Sequence, residues 1–319
     1  MDVSIIIVNW NTRDILKDCL NSVYEQTQGI KFEVIVIDNH STDGSAEMIK
    51  NKFPQVRLIE NSANRGFAAA NNQGITKAKG RYVLLLNSDT IVLDNAIAKI
   101  VSFADNKPDV AVVGCRVLNP DRTVQQTCFM FPSVLNMVLS SSYLYKLFPG
   151  SKFFGRERMN WWMRDDIREV DVVTGCFMLV RRAAIEQVGL MDECFFMYCE
   201  EADWCYRFFK SGWKMMFTPD AEIIHLGGQS SSKVKVEMLV QLRLSILKFI
   251  SKHHGWLKHK IACFLTTLFF AFRVPIWLIV SVFGRKSREQ AVIKSLAYIS
   301  GMRQIFFASG DPLSQKGQA

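Results

Sequence analysis

In the N-terminal third of the chain, short runs of apolar, often β-branched residues alternate with stretches whose apolar positions recur every three or four residues. The runs Val3–Asn9 (VSIIIVN), Phe32–Asp38 (FEVIVID), Val56–Glu60, Tyr82–Leu86 and Val110–Cys115 predict strands. Between them, Asp14–Gln26 places Ile15, Cys19, Leu20 and Val23 on one face, and Ala46–Asn51, Ala68–Ala78 and Asn95–Asn106 also predict helices. The strand runs are continuously apolar rather than alternating. That pattern implies burial on both faces, hence an α/β fold with a largely parallel sheet covered by helices.

The rhythm breaks at Phe131–Asp166, a stretch of aromatics and bases that includes Arg156, Arg158, Trp161 and Trp162. Strand signals return at Val170–Val173 and Cys176–Arg181. A helix is expected from about Glu201 to Ser211, stopped by Gly212, with short strands at Lys214–Phe217 and Glu222–Leu226. From Lys233 the pattern is helical. These shifts divide the chain into residues 1–230 and a helical region of residues 231–319. Within the latter, Ile261–Phe283 is about long enough to span a bilayer. It contains Arg273 and Pro275, and bases flank both ends (Lys258–His259–Lys260 and Arg285–Lys286), so charge gives no orientation. An interfacial helix or re-entrant hairpin is the preferred expectation. A true span and a buried helix of a soluble bundle are its rivals. The aromatics of 131–162 join that surface or cover an acceptor.

Composition narrows the partners. The 319 residues are 49% hydrophobic, enough for a sizeable core, and the net charge is +9. A nucleotide, a phospholipid surface and a nucleic acid would each suit that charge. The bases gather between Lys233 and Arg303 beside apolar runs, which favours a membrane surface over nucleic acid. The eight cysteines form no C-x-x-C pair and match no zinc spacing, so they are expected reduced and structural. No basic segment precedes an apolar one at the N-terminus, so a secretory signal is not expected and the protein should face the cytosol. Neither G-x-G-x-x-G nor a P-loop is present.

In open α/β sheets, ligands bind outside the carboxyl ends of the strands. The residues predicted there are Asn9, Asp38, Glu60–Asn61 and Asn87–Ser88–Asp89, all polar. Asp89 follows a buried strand and suits a Mg²⁺ or Mn²⁺ ion bridging a diphosphate; a helix-capping or loop role is the alternative. Asp38 could accept the imide N–H of uracil or thymine, Gly44 permits a close turn, and Asp43 or Ser45 reads as a cap. In Asn64–Arg65–Gly66, Arg65 could reach a phosphate and Gly66 gives backbone access at a helix start. Glu200, Glu201 and Asp203 enter a helix after an aromatic run. One or two could be caps, but three exceed what capping requires, and neighbouring carboxylates raise a pKa as a general base needs. His225 ends a strand at the same edge. A structural role and a ligand role both remain open for it.

Taken together, SIIIVNWN, VIVIDNHSTDGS, NRGFAAANNQG, YVLLLNSD, VTGCFMLVRR, GLMDECFFMYCEEADWCYR and IIHLGG resemble, in order and across roughly residues 3–230, the family-2 glycosyltransferases. The subgroup most resembled is the bacterial rhamnosyltransferase-like enzymes of cell-surface polysaccharide assembly. The resemblance implies a GT-A (Rossmann-like), mostly parallel mixed sheet flanked by helices. It also implies Mg²⁺ or Mn²⁺ bound through a D-x-D motif, which here reads Asn87–Ser88–Asp89 with its first acid an amide. Asp89 is then the main carboxylate ligand, with His225 where the family often has a second. The family's base lies in an E-D pair that here reads Glu200–Glu201, so Glu201 takes the base position and Asp203 matches a further acid. Val8 and Asn9 match the segment lining the nucleobase, and Asp38 the acid contacting it. The implied activity is inverting transfer of a sugar, rhamnose above others, from a dTDP- or UDP-linked donor to a glycan or polyprenyl-diphosphate-linked acceptor. The enzyme would work at the cytoplasmic face of the membrane, peripheral or monotopic, and could be a homo-oligomer. A catalytically idle sugar-nucleotide-binding or membrane-scaffold protein is the rival reading. Nothing in the motifs encourages nucleic-acid binding.

Overall fold

A computed structural model describes residues 1–227, 235–283 and 288–308. The chain forms two compact units, one of Met1–Phe131 with Tyr145–Ser232, the other of Pro132–Leu144 with Lys233–Ala319. The boundary expected at 230/231 lies outside the described residues. Pro132–Leu144, however, belongs with the second unit rather than the first.

The first part of the chain runs β1 (Val3–Asn9), α1 (Arg13–Gln26), β2 (Phe32–Asp38), α2 (Ser45–Lys52), β3 (Arg57–Glu60), α3 (Phe67–Lys77), β4 (Tyr82–Asn87), β5 (Thr90–Val92), α4 (Ala96–Asp105) and β6 (Val110–Leu118). Then come β7 (Cys128–Phe129), α5 (Val134–Ser142), α6 (Leu144–Leu147), β8 (Arg168–Glu169), β9 (Val172–Val173), β10 (Phe177–Arg181), α7 (Arg182–Val188), α8 (Glu200–Lys210) and β11 (Lys214–His225). The main sheet has the order β3-β2-β1-β4-β10-β6-β11-β5, with β8 added beside β11; β7 and β9 form a separate pair. Strands β1 to β4 are mutually parallel, whereas β10 is antiparallel to both of its neighbours. The result is the mixed α/β sheet that the sequence implies.

The continuous apolar runs have a clear cause. Successive side chains of a strand point to opposite faces, and both faces are covered. Val3, Ile5, Ile7, Val34, Val36, Leu84 and Leu86 enter a core with Leu16, Leu20 and Val23 of α1 and Ile97 and Ile100 of α4. Ile6, Ile35, Ile37, Val83 and Leu85 enter the other, with Ala68 and Ile75 of α3 and Trp204 and Phe208 of α8. Helix α3 comes close to β1: a Cβ at Gly74 would lie 2.6 Å from Ile6 Cγ2. Ile6 is fully buried, so truncating it to alanine should cost about 2–5 kcal/mol.

The registers put the polar strand ends side by side. Asn9 pairs with Asp38, Asp38 with Glu60, and Val8 with Asn87. Two sequence expectations are corrected nearby. Thr90–Val92, unassigned from the sequence, is a strand. The two strands expected at 214–217 and 222–226 are one, β11, whose register on β6 shifts between Thr218 and Glu222. Beyond that irregularity β11 takes β5 as an antiparallel partner, with His225 opposite Thr90.

The second unit adds α9 (Lys235–His254), α10 (Trp256–Ala271), α11 (Arg273–Phe283) and α12 (Arg288–Ala308) to α5. Phe249, Ile250, Ala262, Phe270 and Ala291 are buried, and Phe270 stacks on Tyr298 with ring centroids 5.5 Å apart. Arg273, the charge within the apolar run, lies with its guanidinium 3.5 Å from the Phe269 ring centre. The helical stretch Trp256–Val282 is long and apolar enough to cross a membrane, and only 22% of its most apolar window is buried. Phe264, Phe272, Ile276, Ile279 and Val282 are all exposed.

Candidate active site

The carboxyl edge of the sheet holds three connected groups. The first surrounds Asp38. Its Oδ1 accepts from Asn9 Nδ2 at 2.9 Å and its Oδ2 from the Ser41 amide at 2.9 Å, so the carboxylate is held in plane at the end of β2. Thr12 links this group onward: its hydroxyl donates to Asn9 Oδ1 and lies 3.1 Å from Ser88 Oγ. Asn39, which the sequence reading passed over, organises the next loop. Its side chain donates to Asn64 Oδ1 (2.8 Å) and accepts from the Arg65 amide (3.0 Å) and Asn61 Nδ2 (3.1 Å). Arg65 is left exposed at the mouth. Gly66 has φ +80°, and a Cβ there would lie 2.5 Å from the carbonyl oxygen of Phe196. That oxygen accepts the Phe67 amide at 2.9 Å, so the start of α3 is fastened to the segment preceding α8.

The second group is Asn87–Ser88–Asp89 with His225. After β4 the chain turns and enters β5, and the β5–β11 pairing continues as Leu226 N donates to Asp89 O. This ladder sets His225 Nε2 3.1 Å from Asp89 Oδ1 and 3.2 Å from Asn87 Nδ2. Asp89 is 7% exposed. Its carboxylate and the imidazole thus converge in a largely buried position. Gln125 holds the ring from behind: its Nε2 donates to His225 O at 2.8 Å and its Oε1 lies 2.9 Å from His225 Nδ1.

The donor set can be compared with what a divalent cation needs. Among the described residues, no three His, Cys, Asp or Glu side chains cluster as a ready-made metal cage. One carboxylate and one imidazole, with Ser88 alongside, suit an ion such as Mn²⁺ or Mg²⁺ that takes most of its shell from phosphate and water. The residues therefore fit a cation shared with a diphosphate.

The third group is the first turn of α8. Tyr198 and Cys199 both have positive φ (68° and 65°), an unfavourable conformation for non-glycine residues of the kind that concentrates at functional sites. The turn presents two glutamates to different surroundings. Glu200 is 3% exposed with Oε2 unpartnered, whereas Glu201 is half-buried, its Oε1 accepting from the Gly175 amide at 3.4 Å and its Oε2 unpartnered. Burial first, and then the charge of Glu201, push the Glu200 carboxyl well above the usual range. Burial also raises Glu201, opposed by the Gly175 amide. Asp203, expected with them, is placed otherwise. It is fully buried and paired with Arg207 Nε at 2.9 Å, and that guanidinium also donates to Val188 O and Leu190 O. It ties α8 to the end of α7.

The segment Thr174–Gly175–Cys176 joins the second and third groups. Asn87 N donates to Cys176 O, and Gly175 N meets Glu201. Burial pushes the Cys176 thiol up to about 12, with Asp89 and Glu201 both adding to the rise. It is an inert spacer between two acidic groups. All eight cysteines are free thiols, seven of them buried.

A buried strand-end acid, an aspartate–histidine pair and a half-buried glutamate on one mixed sheet agree with one further observation: residues 4–189 match the family described as Glycosyl transferase family 2. The chain belongs to that family. It is 28% identical over 237 residues to an N-acetylglucosaminyl-diphospho-decaprenol L-rhamnosyltransferase of Mycobacterium tuberculosis, a match spanning 70% of this chain and 76% of the relative. The fold is similar to that of a family of solved enzymes. One is the mannosyltransferase PcManGT from Pyrobaculum calidifontis, solved with GDP-Man and Mn²⁺ (TM-score 0.54, 15% identity, 96% of this chain and 87% of that one). Another is TarS 1–349 of S. aureus (TM-score 0.52, 17% identity, 97% and 83%).

Proposed function

We propose that this family member transfers a sugar with inversion from a nucleoside-diphosphate donor, dTDP-rhamnose or a related dTDP- or UDP-sugar, to a glycan or polyprenyl-diphosphate-linked acceptor in cell-surface polysaccharide assembly. The observation that carries the reading is the pairing of two unlike groups across Thr174–Cys176. On one side is the Asp89–His225 pair. On the other is Glu201, whose Oε2 is buried and unpartnered and whose pKa is raised by burial. The decaprenol-linked substrate in the name of the mycobacterial relative supports the lipid-linked acceptor and the choice of rhamnose.

In this reading Val8, Asn9 and Asp38 line the nucleobase. Asp38 keeps a free lone pair for an imide N–H, as uracil and thymine offer. Asn64 and Gly66, held by Asn39, present Arg65 to the phosphates, and Asn87 and Ser88 shape the turn that aims Asp89. A bound Mg²⁺ or Mn²⁺ would neutralise the departing diphosphate. Glu201 takes the proton from an acceptor hydroxyl, which attacks the anomeric carbon from the face opposite the leaving group. No covalent sugar–enzyme intermediate is needed. Glu200 is buried beside it, and the charge of Glu201 adds to the rise in its own proton affinity. Asp203 acts through Arg207, positioning the helix. The exposed apolar side chains of α10 and α11 support a peripheral or monotopic association with the membrane, which we read as being at its cytoplasmic face.

A panel of dTDP- and UDP-sugars, assayed for transfer to a polyprenyl-diphosphate-linked glycan with and without Mn²⁺, tests the reading. Metal-stimulated rhamnose transfer is the expected result. Binding of the donors without any transfer or hydrolysis would leave the idle binding protein as the answer.

A further inference from the structure

Gln125 carries no motif, and the sequence gives it no role. We propose that it is a positioning residue that sets the tautomer of His225, keeping the ring proton on Nδ1 and leaving the Nε2 lone pair directed beside Asp89. Its consequence for a cation rests on the reading of Asp89 and His225 as a cation site.

The inference follows from which atoms are able to donate. The carbonyl oxygen of His225 only accepts, so the end of the Gln125 side chain 2.8 Å from it must be the NH₂ group. That contact fixes the amide orientation without reference to the ring. The other end is then the amide oxygen, 2.9 Å from Nδ1. An amide oxygen also only accepts, so Nδ1 must carry the proton. On the far side of the ring, Asn87 Nδ2 lies 3.2 Å from Nε2 and can donate to it, consistent with a lone pair there. Nε2 and Asp89 Oδ1, 3.1 Å apart, are then two acceptors facing each other, an arrangement that a positive ion between them relieves. Gln125 is brought into place by the return of the chain after β6, where its amide donates to Val117 O at 2.8 Å. Without it, nothing obliges the proton to stay on Nδ1. Nε2 would take it and donate to Asp89, and a cation would first have to displace that proton.

The test uses full-length protein with ¹⁵N-labelled histidine, followed over a pH series up to the point where the ring signals stop moving. His225→Gln identifies the resonance. In the wild type, Nδ1 is expected protonated and Nε2 bare. In Gln125→Leu the proton should move to Nε2, while the signals of His40, His253, His254 and His259 stay in place and report an intact fold. Gln125→Glu, which still accepts from Nδ1–H, should restore the wild-type tautomer, an effect that a merely structural role would not produce. Mn²⁺ affinity, read by the electron paramagnetic resonance of the free ion, should fall about 10- to 100-fold in Gln125→Leu. A Gln125→Leu protein that keeps the proton on Nδ1 overturns the inference, whether or not it binds Mn²⁺. A proton that follows Gln125 in a wild type with no affinity for Mn²⁺ upholds the tautomer assignment and instead sinks the cation reading.

Discussion

The turn after β4 and the first turn of α8 both bring acids to the same edge of the sheet, yet their surroundings differ in kind. Around Asp89 the neighbours are polar and directional: an imidazole at 3.1 Å, a serine beside it, and a glutamine behind the ring. Around Glu200 and Glu201 the donors are few, one oxygen of each carboxylate has no partner, and the preceding backbone is strained. The first is acceptor-rich and calls for a metal ion. The second is donor-poor and calls for a proton. Two carboxylate clusters one loop apart can therefore divide binding and base chemistry between them, because environment rather than residue type sets the role.

The division is broken most severely by exchanging the two sites' functions. Glu201→Gln should lower turnover by about 10²- to 10⁴-fold while donor binding, followed by calorimetry, is retained. Asp89→Ala should instead weaken donor binding and abolish the response to added Mn²⁺. A Glu201→Gln enzyme that turns over normally would move the base to Glu200. Next in size, Asp203→Asn separates scaffold from site. It leaves Arg207 without its buried counter-charge, and thermal or denaturant unfolding should show a loss of about 3 kcal/mol, with the pH–rate profile unmoved below the new melting point.

The smallest effect concerns Glu200. Its carboxyl is raised by burial and by Glu201, so the folded state holds a proton that the unfolded chain releases near pH 4.3, the ordinary glutamate value. Folding therefore binds protons in the window above that value, and stability falls as pH rises through it toward the raised pKa. Glu200→Gln should melt higher than the wild type at neutral pH, with the gap closing as pH drops below the ordinary glutamate range. The rising limb of the rate profile, set by Glu201, should stay in place, because a protonated Glu200 is already neutral. A shifted limb would show that Glu200 carries charge beside Glu201.

Much of this arrangement was legible in the sequence, for a local reason. Strands β1, β2 and β4 are largely β-branched and leucine runs that each end on a polar residue, so Asn9, Asp38 and the Asn87–Asp89 turn could be placed at strand ends without knowing the neighbours. What the sequence hid depends on distant partners. Thr90–Val92 is three residues long and is a strand only because β11 lies beside it. Gln125 bonds to a residue 100 positions away and sits in an unremarkable stretch. Asp203 differs, since its signal was present. Positions 201 and 203 lie about 200° apart around a helix, on opposite faces, and Asp203 stands four residues before Arg207, the spacing of a helical ion pair. Helical geometry alone separates it from Glu201.

The bond between Asn87 and His225 spans 138 positions of sequence. During synthesis β1, β2 and β4 emerge first, and β11 follows only after well over a hundred further residues. A nascent chain halted before β11 would carry Asn9, Asp38 and Asp89 but lack the imidazole that faces Asp89. Completion of the Asp89–His225 pair thus waits on long-range strand pairing.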